Sequence, residues 1–177
     1  MKSFVNKTPP IETMHTHCRA YFSTGGWGKM FVRWMGSKDP QPYGSYGNGS
    51  AMRIAPVGWI ANTEKEVISL SDSYTEITHN HEEGIKAARA TALAVFYARQ
   101  QISVSDMKNK LSEYYDLDFT IASIRPNYQR TEVAADSVPQ AIVAALEATS
   151  FEDAIRLAVS LGGDTDTQAA IAGGIAE

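Results

Sequence analysis

Gly162-Gly163-Asp164-Thr165-Asp166-Thr167, running into the small-residue tail Gln168-Ala169-Ala170-Ile171-Ala172-Gly173-Gly174, is the stretch on which the reading of this chain turns. Upstream of it, Phe151, Ala154, Ile155 and Ala158 recur at helical spacing, so the glycine pair falls where a helix C-terminus is expected. A second helix follows. Two carboxylates and two hydroxyls therefore sit in a tight joint between helices, at the positive end of the second one. Oxygen donors from a few consecutive residues suit a hard cation such as Mg²⁺ or Ca²⁺, which needs neither Cys nor His. Asp164, Asp166 and Thr167 are the candidate ligands. The same residues are also ordinary helix N-caps, and the hexapeptide alone leaves both readings open.

A helix–joint–helix unit implies helical neighbours, and the rest of the chain supplies them. Its 177 residues are 44% hydrophobic, enough for one core in one domain. The formal net charge of −4, with no block of like charge, argues against an extended nucleic-acid surface or an anionic membrane as partner. A single cysteine, Cys18, forms no internal disulfide, and no apolar run reaches membrane-spanning length. A cytoplasmic protein is the expectation.

Residues 1–10 read as an extended leader ending in Pro9-Pro10, with the folded domain over 11–177. Helices are expected over Glu12 to Phe22 and Trp27 to Met35, and Gln41 to Gly58, with four glycines and two prolines, reads as a shaped loop. Thr63-x-x-Glu66 opens the next helix, Gly84 to Arg99 is an alanine-rich one, and Ser103, Ser137 and Ser150 are expected N-caps for three more. A polar and aromatic connector leads through Arg125-Pro126-Asn127-Tyr128. No alternating run is long enough for a sheet, so the fold class is all-α.

Three segments in order carry a resemblance: Tyr43-Gly44-Ser45-Tyr46-Gly47-Asn48-Gly49-Ser50-Ala51-Met52-Arg53-Ile54-Ala55-Pro56, Thr78-His79-Asn80-His81-Glu82-Glu83-Gly84, and Gly162 through Ile171. Together they resemble the ADP-ribosylglycohydrolase family. The resemblance implies a hydrolase with a compact helical fold around two Mg²⁺ ions that removes ADP-ribose from a modified group at the anomeric carbon, through an N- or O-glycosidic bond. It makes Asp164, Asp166 and Thr167 metal ligands and Asp164 and Asp166 catalytic. It gives Gly44, Ser45, Tyr46, Gly47, Asn48 and Gly49 to the diphosphate and ribose of the substrate, and sets His79 beside them. Glycines there let backbone N–H groups approach phosphate oxygens, whereas a rigid surface turn is the plainer reading of the same loop.

Family members also carry a Thr-Asp-Asp run upstream, and this chain has none, so one of the two ions is supported here and the chain reads as a member shortened at both ends. Uncovered helix faces then call for a homo-oligomer or a partner chain. A non-catalytic module binding ADP-ribose or an adenine nucleotide, or a structural remnant, are the alternatives to a working hydrolase.

Overall fold

The computed structural model describes residues 8–177, and the expected leader lies outside the described residues as far as residue 7. Ten α-helices make up the described part: α1 (Pro10–Ala20), α2 (Lys29–Gly36), α3 (Ala55–Ile60), α4 (Glu64–Thr75), α5 (Glu82–Arg99), α6 (Val104–Leu111), α7 (Ile121–Ile124), α8 (Val138–Glu147), α9 (Phe151–Val159) and α10 (Thr165–Ala176). Single 3₁₀ turns link several of them, and the only β-type pairing among the described residues is one antiparallel bridge between Gly47 and Val133. The all-α expectation holds.

The alanine-rich helix α5 is the axis. Ala87, Ala88, Ala90, Ala92, Leu93, Ala94, Val95, Phe96 and Tyr97 are all buried, the all-round apolarity of a helix enclosed by others. Helices α3, α4, α6, α8 and α10 pack around it, and α8, α9 and α10 form a second group that joins it through α8 and α10. Small side chains bring the axes close. A Cβ placed on Gly58 of α3 would stand 2.6 Å from the Ala92 carbonyl oxygen and 2.6 Å from Val95 Cβ, so only glycine fits at this crossing. Among the described residues no helix is long and apolar enough to cross a membrane.

The end of the expected loop over Gln41 to Gly58 is a correction. Ala51–Arg53 is a 3₁₀ turn and α3 begins at Ala55, with Pro56 in its first turn, where a missing N–H costs nothing. Pro56 and Gly58, taken as loop residues, are a helix start and a packing glycine.

The expected caps at Thr63, Ser103 and Ser150 are present, each accepting from the backbone N–H three residues on. Ser137 precedes α8 as expected, but its hydroxyl makes no cap bond. It is used in the candidate site instead.

Candidate active site

Helix α9 closes at Ser160, and Gly162 continues at φ 71°, the left-handed conformation that glycine adopts without Cβ strain, with its N–H bonded to the Val159 carbonyl at 3.0 Å. Gly163 is required for a different reason. A Cβ there would lie 2.5 Å from a ring carbon of Tyr128, whose hydroxyl accepts from Gln168 Nε2 at 2.7 Å and donates to the Asp136 carbonyl at 3.0 Å. The polar and aromatic connector through Tyr128 is thus folded onto the joint.

Asp164 stands at the N-cap position of α10, and its side chain caps nothing. Its Oδ2 accepts from Asn48 Nδ2 at 2.8 Å, so the carboxylate of the joint is tied to the glycine loop. Asn48 Nδ2 also donates to Ser137 Oγ at 3.1 Å, and Ser137 Oγ donates to the Val133 carbonyl at 2.8 Å. Both protons of the Asn48 amide are used, which fixes its orientation. Asp164 and Thr167 are buried at 8% and 7% exposure, while Asp166, one turn-step away, is open to solvent. Thr167 Oγ1 lies 3.4 Å from Met52 Sδ.

Burial pushes the Asp164 carboxyl above its usual range, with Asp166 alongside adding to the effect and hydrogen bonds from Asn48 and Thr167 opposing it. Asp166 is held below its usual range by the Thr167 backbone N–H and by its bond with Asp164. The pair therefore separates: a proton goes to Asp164 first, and Asp166 remains the anion. Arg130 brings a cation close by, its guanidinium 3.1 Å from Glu132 and 3.8 Å from Asp164 Oδ1.

The glycine loop is held at both ends. Gly44, at φ 65°, donates its N–H to Asn80 Oδ1 at 2.7 Å, and Gly84 at the start of α5 has room for no side chain, since a Cβ would meet the Ser45 carbonyl at 2.6 Å. Tyr46 is exposed with its ring 5.5 Å from that of His81. At the far end the Asn48 N–H donates to the Glu132 carbonyl at 2.9 Å and the Ala134 N–H to the Tyr46 carbonyl at 3.0 Å, the two bonds of the isolated bridge.

His79 lies beneath the loop at 5% exposure, with Nδ1 2.8 Å from Thr78 Oγ1 and Nε2 facing Gly49. Burial and the neighbouring Arg53 depress its pKa to about 3, so the ring is neutral at physiological pH.

Of the residues expected from the sequence, Asn48 and Asp164 are in direct contact, with Asp166 and Thr167 on the same turn. Gly49 and His79 face each other next to this pair. The contacts of Gly44, Ser45 and Tyr46 run to Asn80, Gly84 and His81 at the start of α5. Ser137, Arg130, Met52 and Arg53 are site neighbours that the sequence reading missed. Ser137 carried only a capping signal and Arg130 lay in the connector; Met52 and Arg53 were quoted within a motif without a role.

The comparisons with known proteins bear on this arrangement. The family model described as ADP-ribosylglycohydrolase matches residues 5–176, all but the ends of the chain. The chain belongs to the ADP-ribosylglycohydrolase family. It is similar to the human ADP-ribosylhydrolase ARH3, 30% identical over 180 residues that cover 75% of this chain and 50% of that protein. It is also similar to the ADP-ribosylarginine hydrolase Tri1 of Pseudomonas putida (strain GB-1), 27% identical over 169 residues, 85% of this chain and 42% of the relative. A solved structure titled an ADP-ribosylglycohydrolase-related protein complex superposes with a TM-score of 0.75 at 23% identity, over 99% of this chain and 65% of that one, a likeness of fold. The chain spans about half the length of the curated relatives it matches.

Two carboxylates and one hydroxyl at a helix start suit a hard divalent cation by donor type. Asp164 Oδ1 lies 3.8 Å from the Arg130 guanidinium, on the side of the carboxyl away from Asn48. Among the described residues no third His, Cys, Asp or Glu joins this pair into a cluster able to hold a metal. By donor type these residues would supply part of a coordination shell, the remainder being water or ligand oxygen.

Proposed function

We propose that this ADP-ribosylglycohydrolase-family chain removes ADP-ribose from a modified substrate, by Mg²⁺-dependent hydrolysis of the N- or O-glycosidic bond at the anomeric carbon. The observation that carries the reading is the bond between Asn48 and Asp164. It makes the glycine loop and the acidic elbow one surface, which neither a surface turn nor a helix cap requires.

In this reading Asp164, Asp166 and Thr167 hold one Mg²⁺. Bound there, the ion would polarise the substrate and acidify a water molecule. Asp166, ionised and open to solvent, takes the proton from the attacking water as its oxygen bonds to the anomeric carbon. The glycosidic bond breaks toward the leaving nitrogen or oxygen, which departs with the proton that Asp166 took from the water, so that the carboxylate is regenerated. Gly44, Ser45, Tyr46, Gly47, Asn48 and Gly49 orient the diphosphate and ribose, and Asn48 ties that orientation to Asp164. A cytoplasmic setting belongs to the same proposal, supported by the lone half-buried Cys18. So does a partner chain or second copy, supported by exposed Phe151 and Val159 on α9 and read by light scattering.

The test is release of free ADP-ribose from an ADP-ribosylated peptide with and without Mg²⁺, in the wild type, Asp164→Asn and Asp166→Asn. Mg²⁺-dependent release abolished by either substitution is the expected result. ADP-ribose binding by calorimetry without release at any Mg²⁺ concentration would replace the hydrolase with a binding module. That second reading draws its support from the incomplete donor set.

A further inference from the structure

Arg53 is a cation without a carboxylate partner among the described residues. Its Nη2 lies 2.6 Å from Thr78 Oγ1 and 3.5 Å from the Tyr74 carbonyl, and its buried Nε has no partner. A guanidinium only donates, so the Thr78 oxygen accepts from Arg53. The single proton of that hydroxyl is then free to be given onward, and the neighbour in reach is His79 Nδ1 at 2.8 Å. With Nδ1 accepting, a neutral imidazole carries its proton on Nε2. The charged and titratable groups facing the ring are Arg53 and Tyr43, whose ring centroid is 6.0 Å away, and neither offers Nδ1 a competing acceptor.

Nε2 has no protein acceptor among the described residues although His79 is 95% buried, being 5% exposed. It looks at Gly49, where a Cβ would stand 3.4 Å from Nε2 and 3.6 Å from Cε1. Gly49 is partly exposed and leaves the space of one methyl group in front of the donor.

We propose that Arg53 and Thr78 are positioning residues that form a one-way hydrogen-bond relay, holding His79 in the Nε2–H tautomer so that it donates beneath the glycine loop to an acceptor oxygen of the ligand. The donor role rests on the reading of that loop as an ADP-ribose site, while the relay stands on this chain's own contacts. Such a relay fixes a donor in place at no ordering cost when the ligand arrives.

The decisive measurement is the tautomer itself, read from long-range proton–nitrogen correlations of isotope-labelled wild-type protein without ligand. The Nε2–H pattern is expected, and the Nδ1–H pattern overturns the relay. Thr78→Val is expected to populate both tautomers and to weaken ADP-ribose binding by about fivefold to tenfold, one hydrogen bond's worth, whereas Thr78→Ser restores both readouts. A tautomer indifferent to Thr78→Val overturns the relay, and a shifted tautomer with unchanged affinity overturns the donor role.

Should Thr78→Val not fold, Gly49→Ala replaces it. Gly49 does not have a positive φ and the added methyl makes only van der Waals contact, so the fold is kept while the donor is covered. Loss of ADP-ribose affinity in Gly49→Ala is expected, and its retention is the overturning result. Absence of ADP-ribose binding by the wild type overturns the donor role together with the loop reading, and the ligand-free tautomer still decides the relay.

Discussion

Asn48 Nδ2 donates to Asp164 Oδ2 at 2.8 Å, joining positions 116 residues apart and tying the glycine loop to the start of α10. Removing the donor leaves a buried carboxylate oxygen unsatisfied. Asn48→Ala is expected to cost about 1.5–3 kcal/mol, the range for a hydrogen bond to a charged group. At roughly 2–4 °C per kcal/mol for a chain of this size, the loss is visible in thermal unfolding. Asn48→Asp sets a third carboxylate against the pair: its melting temperature should fall further, and added Mg²⁺ should recover more of it than in the wild type. Equal melting temperatures for all three proteins would mean the bond holds nothing together.

His79 makes stability depend on pH with a definite sign. Its folded pKa is lowered from 6.5 to about 3, so above 6.5 the ring is neutral in both states and the full contribution is present. As pH falls below 6.5 the unfolded chain binds a proton that the folded chain refuses. Stability should then drop by up to about 1.4 kcal/mol per pH unit. Urea midpoints measured between pH ~7 and ~5, above the carboxylate range, isolate this slope. His79→Gln should flatten it, and an unchanged slope would assign the effect to another group.

Gly58 and Gly163 each exclude a Cβ, against neighbours of different stiffness. At Gly58 the added carbon meets the backbone carbonyl of Ala92 at 2.6 Å, and at Gly163 it meets the ring of Tyr128 at 2.5 Å. A helix axis gives less readily than a side chain. Gly163→Ala should cost about 1–3 kcal/mol as Tyr128 shifts and its bond with Gln168 breaks, and Gly58→Ala should cost more. Chemical denaturation of both variants tests the order, and the reverse order would contradict the packing of α3 on α5.

The helical elements were legible because their signals are local. Thr63, Ser103 and Ser150 cap what their spacing says they cap, and the buried alanines from Ala87 to Ala94 repeat through α5. Where the reading failed, a residue was serving a distant partner. Ser137 has the sequence context of a cap, but its hydroxyl is taken by Val133 and Asn48, and Gly58 looks like a loop glycine until Ala92 is placed against it. The site divides in the same way. The carboxylates and the glycine loop announce themselves in short motifs, while Arg130 and Arg53 matter only through contacts closed by the fold, which no spacing along the chain encodes.

Arg130 is the remaining test of what the acidic elbow is for. Its guanidinium is exposed, 3.8 Å from Asp164 Oδ1. An exposed ion pair of this length contributes roughly 0–1 kcal/mol, so Arg130→Gln should leave the melting temperature almost unmoved in the absence of metal. If the elbow is a cation site, the arginine competes with a divalent ion for that oxygen, and its removal also strips a repelling charge. Mg²⁺ titrations by calorimetry should therefore show tighter binding in Arg130→Gln, and thermal stabilisation by Mg²⁺, which grows with ligand concentration over Kd, should increase in step. In Asp164→Asn both signals should vanish. Weaker Mg²⁺ binding in Arg130→Gln would instead make the arginine part of the recognition surface, and binding that survives Asp164→Asn would place the ion elsewhere.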